Sequence, residues 1–173
     1  MRWRGRALGL VLLAAAVAAL VVFGFAPSKK VAPGRPAPGL PGEHLSGAGV
    51  TLPKLLAGAA GRPSVVVFWA SWCGPCVTEA PALESFSRSR EGRGRIVGVD
   101  WSDRRSSALD FIRRFGWTFP TVRDGEGLVG NKYGMTALPT AFVLDGAGRI
   151  ARTLRGPQTG ASLRDALRST EPA

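Results

Sequence analysis

The sequence is poor in the side chains that hold metals. It has two cysteines, Cys73 and Cys76, and a single histidine, His44. A structural zinc site takes four Cys or His ligands, and four are not available. A haem-attachment motif needs histidine directly after the second cysteine, and Val77 stands there. No cysteine lies near the end of the N-terminal apolar run, so a lipid-modified cysteine cannot serve as an anchor. Acidic residues are also scarce. The chain carries 23 Lys and Arg against 12 Asp and Glu, a formal charge of +11. Residues 1–62 hold eight of those basic groups and one acidic group, leaving 15 and 11 in the rest. A basic excess concentrated in an N-terminal arm suits an anionic membrane surface better than nucleic acid. The local cluster at residues 88–95 has no interleaved aromatic on which a base would stack, and it reads as a solvated loop. Nucleic acid is therefore not expected as a partner. There is no internal repeat. The turns Gly47-Ala-Gly49 and Gly125-Glu-Gly127 lack the strand–helix context of a phosphate loop.

One long hydrophobic run is present. Arg2, Arg4 and Arg6 precede residues 7–25, 19 residues without a charge. As a helix rising about 1.5 Å per residue, this run spans about 28 Å, close to a bilayer's hydrocarbon core. Positive charge ahead of it keeps the N-terminus in the cytoplasm and sends the remainder across. A cleaved signal peptide is the rival reading. Its apolar core is usually about 7–15 residues, which favours a retained anchor, and the small residues near Gly24–Ala26 leave cleavage open. Either way Cys73 and Cys76 are exported. Residues 27–41 are rich in Pro and Gly and read as an extended, semi-stiff tether. The expected organisation is an anchor or signal over 1–26, a tether over 27–41 and one folded domain over 42–173.

Within that domain the signal is weak up to Leu56, with one or two helical turns over Leu52–Ala57. From Ser64 to Trp69 a continuous β-branched and aromatic run predicts a strand buried on both faces. It breaks at Ala70–Pro75. A helix follows with Val77, Ala80, Leu83 and Phe86 inward, kinked at Pro81. Ile96–Trp101 predicts a second strand. Asp103–Phe115 predicts a helix with Ala108, Leu109, Phe111, Ile112 and Phe115 inward. Pro120–Arg123 suits a short extended piece and Leu128–Tyr133 a helical turn. Thr140–Leu144 and Ile150–Leu154 predict strands joined by the turn Asp145-Gly-Ala-Gly148, and Ser162–Arg168 a closing helix. Crossovers first and a hairpin last imply an α/β fold with a mixed sheet and helices on both faces.

Cys73 and Cys76 sit where the buried strand hands over to the helix. Two intervening residues bring the thiols within bonding reach across the first turn. The unpaired N–H groups and partial positive charge of that turn favour a thiolate on Cys73, the species that attacks disulfides. Cys76, one turn further in, is expected to be more buried and to resolve a mixed disulfide. Pro75 occupies a first-turn position that needs no N–H. Glu79 lies three residues beyond Cys76, on the neighbouring turn. In a partly dry site its pKa would rise, letting it exchange a proton with Cys76. The plain alternative is a first-turn glutamate stabilised by the helix dipole. Trp72 flanks the entrance; Trp69 reads as core, and Trp101 and Trp117 as core or surface packing. His44 reads as incidental. A purely structural disulfide would close too short a loop to stabilise much.

The stretch Phe68-Trp-Ala-Ser-Trp-Cys-Gly-Pro-Cys76, with Pro81 following, resembles the active-site segment of thioredoxin. Leu138-Pro139-Thr140 resembles the cis-proline loop of that fold. The N-terminal arm, Val67 where thioredoxin has a buried aspartate, and Glu79 at a position where the family carries glutamate make the chain more similar to the membrane-anchored TlpA/ResA/CcmG-like family. The resemblance covers roughly residues 40–165. It implies a thioredoxin fold with the redox-active Cys73–Cys76 disulfide, no other cofactor and no metal. It also implies catalytic roles for Cys73, Cys76 and Glu79, with substrate contacts at Trp72, Gly74, Pro75, Leu138 and Pro139. The activity it implies is extracytoplasmic thiol–disulfide exchange, the protein crossing the membrane once through residues 7–25. Clients would be thiols and disulfides of exported proteins, apocytochrome c among them, with electrons from a membrane thiol carrier. Three readings of the task stay open: a disulfide reductase, to which Gly74-Pro75 tilts; a disulfide donor for folding exported proteins; and a redox-inert thiol- or metal-handling binding module.

Overall fold

The computed structural model of the chain describes residues 34–47 and 49–172. The apolar run 7–25 and tether residues 27–33 lie outside them. Among the described residues no helix is long and apolar enough to cross a membrane.

The elements run β1 (Glu43–Ser46), α1 (Leu52–Ala59), β2 (Ser64–Trp69), α2 (Gly74–Arg88), β3 (Ile96–Trp101), α3 (Arg105–Phe115), β4 (Thr121–Asp124), α4 (Leu128–Tyr133), β5 (Thr140–Leu144), β6 (Ile150–Arg155) and α5 (Gly160–Arg168). The strands form one sheet in the order β1-β4-β3-β2-β5-β6. β2, β3 and β4 are parallel, whereas β1, β5 and β6 pair antiparallel to their neighbours. This is a thioredoxin fold with a mixed sheet between two helical layers.

β2 is central and wholly buried, which explains its unbroken apolar sequence. Val65, Val67 and Trp69 face a layer built from α2, α3 and α5, including Ala80, Leu83, Phe86, Phe111, Ile112, Leu163 and Leu167. Val66 and Phe68 face the other side, packed with Leu55, Tyr133, Phe142 and Ile150. Local chemistry ends the helices where it should. Gly116, at φ +62°, turns α3 off after Arg113 and Arg114, whose charges suit the negative helix end. Thr159 and Ser162 form a reciprocal cap at the start of α5.

Two features extend the expected layout. Glu43–Ser46 forms an edge strand on β4, and α1 runs to Ala59. Residues 34–40, at the end of the Pro/Gly-rich segment, lie against the domain. The Gly34 N–H donates to the Ile150 carbonyl at 2.7 Å, the Ile150 N–H donates to the Arg35 carbonyl at 2.8 Å, and the Ala37 N–H donates to the Gly148 carbonyl at 2.9 Å. Ala37 and Leu40 pack on the α1/α4 side of the core.

Candidate active site

The buried strand β2 ends at Trp69, and the chain turns through Ala70–Trp72 before α2 begins. Cys73 is the N-cap of α2, its backbone extended at φ −86° and ψ 105°. Its Sγ accepts from the Cys76 N–H at 3.2 Å. Sulfur thus sits at the positive end of a 15-residue helix, in the place where Ser or Asp would ordinarily cap it. Cys73 and Cys76 are joined by a disulfide, with Cα atoms 5.2 Å apart. Both are buried, Cys73 at 5% exposure and Cys76 at 1%.

The surface over the disulfide is an open groove of about 430 Å³. One wall is Trp72, Cys73, Gly74 and Pro75. The other is Trp101 with the run Met135–Leu138. Trp72 is 59% exposed, and its indole lies 6.2 Å from that of Trp101, centre to centre. The Leu138–Pro139 peptide bond is cis. Pro139 is buried behind Leu138 and leads directly into β5. Five of the expected site residues therefore share the groove: Trp72, Cys73, Gly74, Pro75 and Leu138. Cys76, Glu79 and Pro139 lie beneath it or behind it.

Glu79 points inward with Ala80, Leu83 and Phe86 and is 2% exposed. Its Oε2 accepts from the Gln158 N–H at 2.8 Å, while Oε1 is buried with no partner among the described residues. Burial pushes the carboxyl up to about 7, against the smaller opposing pull of the Gln158 N–H. Glu79 is thus far more enclosed than a first-turn surface glutamate.

Sequence reasoning missed the far wall of the groove, Met135–Ala137 and Trp101. For Met135–Ala137 the available signal was their adjacency to Leu138-Pro139, since residues just before that proline share its loop; for Trp101 it was a place at the end of β3. It also missed Asp100, which is 0% exposed on β3. A carboxylate inside the buried run Ile96–Trp101 was the signal for it. Among the described residues no group of three or more His, Cys, Asp or Glu is placed to hold a metal.

Residues 35–167 match the family described as Redoxin. The thiol:disulfide interchange protein DsbE of Xylella fastidiosa strain 9a5c is 37% identical over 128 residues, 72% of this chain and 62% of that protein. The thiol-disulfide oxidoreductase ResA of Geobacillus thermodenitrificans is 32% identical over 113 residues, 65% of each chain. The chain thus spans less than two thirds of the length of these two relatives. A solved thiol:disulfide interchange protein of the thioredoxin family from Chlorobium tepidum TLS superimposes with a TM-score of 0.67 at 25% identity, covering 82% of this chain and 99% of that one.

Proposed function

The chain belongs to the redoxin family, and from that premise we propose that it is an extracytoplasmic thiol–disulfide oxidoreductase working as a disulfide reductase. The observation that carries this reading is the Cys73–Cys76 pair at the N-terminus of α2, with Cys73 lining an open groove and Cys76 buried behind it. In the reduced protein the Cys73 thiolate attacks one sulfur of a client disulfide. A Cys73–client bond forms and the other client sulfur leaves as a thiolate. Cys76 then gives its proton to Glu79 and attacks the Cys73 sulfur. The second client thiolate leaves, two electrons have passed to the client, and the Cys73–Cys76 disulfide is restored. A membrane thiol carrier would return the electrons, because cytosolic reductants do not reach an exported domain.

The apolar groove supports an unfolded client segment rather than a small polar thiol. Trp72, Gly74, Pro75, Leu138 and Pro139 would form its docking surface. Resemblance to the TlpA/ResA/CcmG-like proteins supports apocytochrome c as one client, its thiols kept reduced before haem attachment. It also supports a single anchor at residues 7–25, which would raise the local concentration of enzyme beside its membrane partners.

Full-length Cys76→Ser should accumulate a mixed disulfide between Cys73 and exported proteins, released by added thiol. Cys73→Ser should accumulate none. Equal capture by both variants would remove the reading. The potential of the pair against glutathione decides direction: a value well below the glutathione poise fits a reductase, one well above it a disulfide donor.

A further inference from the structure

Asp100 is the most enclosed carboxylate near the site. Both of its oxygens are buried with no hydrogen-bond partner among the described residues. It sits on the sheet face that carries Trp69, in register with Trp69 on β2 and Arg123 on β4. The Arg123 Nε is 3.8 Å from Asp100 Oδ2, too far for a hydrogen bond. Its N–H groups point elsewhere. Nε and Nη2 donate to the Asp103 carbonyl at 3.2 and 2.7 Å, and Nη1 donates to Glu43 Oε2 on β1 at 3.0 Å. Glu43 is held in turn by Arg105 of α3. The remaining charged neighbour is the Asp103 carboxyl, within hydrogen-bonding reach of Asp100.

Asp103 is itself engaged. Its Oδ2 accepts from the Ser71 N–H at 2.6 Å and its Oδ1 from the Arg104 N–H at 2.7 Å. One residue back, the Ser102 carbonyl accepts from the Trp72 indole N–H at 3.2 Å. Ser102 has a left-handed backbone at φ 51°, unusual for a residue with a side chain. The β3–α3 loop therefore grips both residues that precede Cys73. Two adjacent acceptors in a dry site, one already committed to Ser71, are satisfied together by a single proton between them.

We propose that Asp100 and Asp103 share one proton, and that Asp100 is thereby a positioning residue: its O–H holds the Asp103 carboxylate on the Ser71 N–H, which keeps Cys73 at the cap of α2. The inference rests on the reading of Cys73 as the attacking thiol. Burial, reinforced by the Asp103 charge and opposed by Arg123, pushes Asp100 up to about 8, with Glu43 adding a smaller upward push. Above that pH the proton leaves to solvent and two carboxylates face each other. The latch loosens and the Cys73 thiolate loses its favourable setting.

The test uses the reduced full-length protein and a linear peptide disulfide, with the first exchange step followed from pH 6 to 10. Wild type should reach a plateau and fall about threefold above pH 8, the behaviour of a group that must keep its proton. Asp100→Asn retains an N–H donor to Asp103 and cannot ionise, so its plateau should persist. Asp100→Leu should be about tenfold slower at pH 7, the loss expected for a hydrogen bond to a charged acceptor. Matching pH profiles for wild type and Asp100→Asn, or a wild-type rate in Asp100→Leu, would overturn the proposal. Should the wild type exchange at no pH, the functional reading fails instead. Carboxyl-carbon NMR then decides the latch on its own: a step near pH 8 shared by Asp100 and the Ser71 amide supports it, and titration of Asp100 below pH 5 overturns it.

Discussion

Glu79 shows how one buried atom sets a pH dependence. Its folded pKa of about 7 stands above its ordinary value of 4.5, so the fold favours the protonated form. The sign follows. Its contribution to stability is complete below about pH 4.5 and is lost as pH rises through 7. At about 1.4 kcal/mol per pKa unit the loss is on the order of 3 kcal/mol. Glu79→Gln cannot ionise, so it should match the wild type within about 1 kcal/mol at pH 4.5 and exceed it by about 2–3 kcal/mol at pH 8.5. Urea unfolding of the oxidised protein at the two pH values measures this, and an equal offset at both would remove the buried-acid account. The same substitution should slow attack by Cys76 about 100-fold or more, the ordinary scale for losing a positioned base. At this scale the sequence was partly legible. Residue type and helix position pointed to Cys73, Cys76 and Glu79. Asp103 gave no signal, because its role exists only where the β3–α3 loop meets Ser71, 32 positions away.

Elements whose sequence repeats with their own period were legible, and elements defined by a neighbour were not. β2 and α3 carry their burial pattern in their residues. β1 is four residues, half exposed, and is a strand only because β4 offers it backbone partners across a register irregularity. No side-chain alternation could reveal it. The turn between β5 and β6 was legible as a turn, since the Asp145 carboxyl accepts from the Ala147 and Arg149 N–H groups and Gly148 takes φ +75°. What it packs against was not. A Cβ on Gly146 would come 2.0 Å from the Gly61 carbonyl oxygen in the α1–β2 loop, a clash with backbone rather than with a yielding side chain. Gly146→Ala should therefore destabilise by about 2 kcal/mol, within the range for overpacking. Gly34→Ala, with nothing within 4 Å of the added carbon, has only its positive φ against it and should cost less. Thermal melts of the two variants compare them directly, and an unshifted Gly146→Ala would show that the two loops are not locked together.

At the scale of the molecule, residues 34–40 lie against the folded domain. Pro, Gly and small residues over 34–41 cannot build a core of their own, and by that logic the segment reads as tether. Yet prolines also lower the entropy an extended strand loses on docking, and a backbone needs no apolar side chains to bond to a neighbouring turn. Residues 34–37 complete the β6 end of the sheet through backbone bonds, and Pro36 forms a bridge with Arg149. Further along, the Tyr133 hydroxyl donates to the Pro38 carbonyl at 2.8 Å, and burial pushes its pKa upward. Leu40 covers the same side of the core. Removing the strap would expose apolar surface and strand a buried hydroxyl, costs of roughly 2 and 1 kcal/mol. A chain beginning at residue 34 should then melt within a few degrees of the full-length protein. One beginning at residue 42 should lose about 3 kcal/mol, several degrees or more in a domain of this size. Because the strap's backbone bonds go to β6, to the turn before it and to Tyr133 of α4 rather than to Trp72 or Cys73, the shorter chain should keep its exchange rate at temperatures where it stays folded. Equal melting points for the two truncations would place residues 34–41 outside the cooperative unit, whereas a loss of exchange at low temperature would tie the strap to the groove itself.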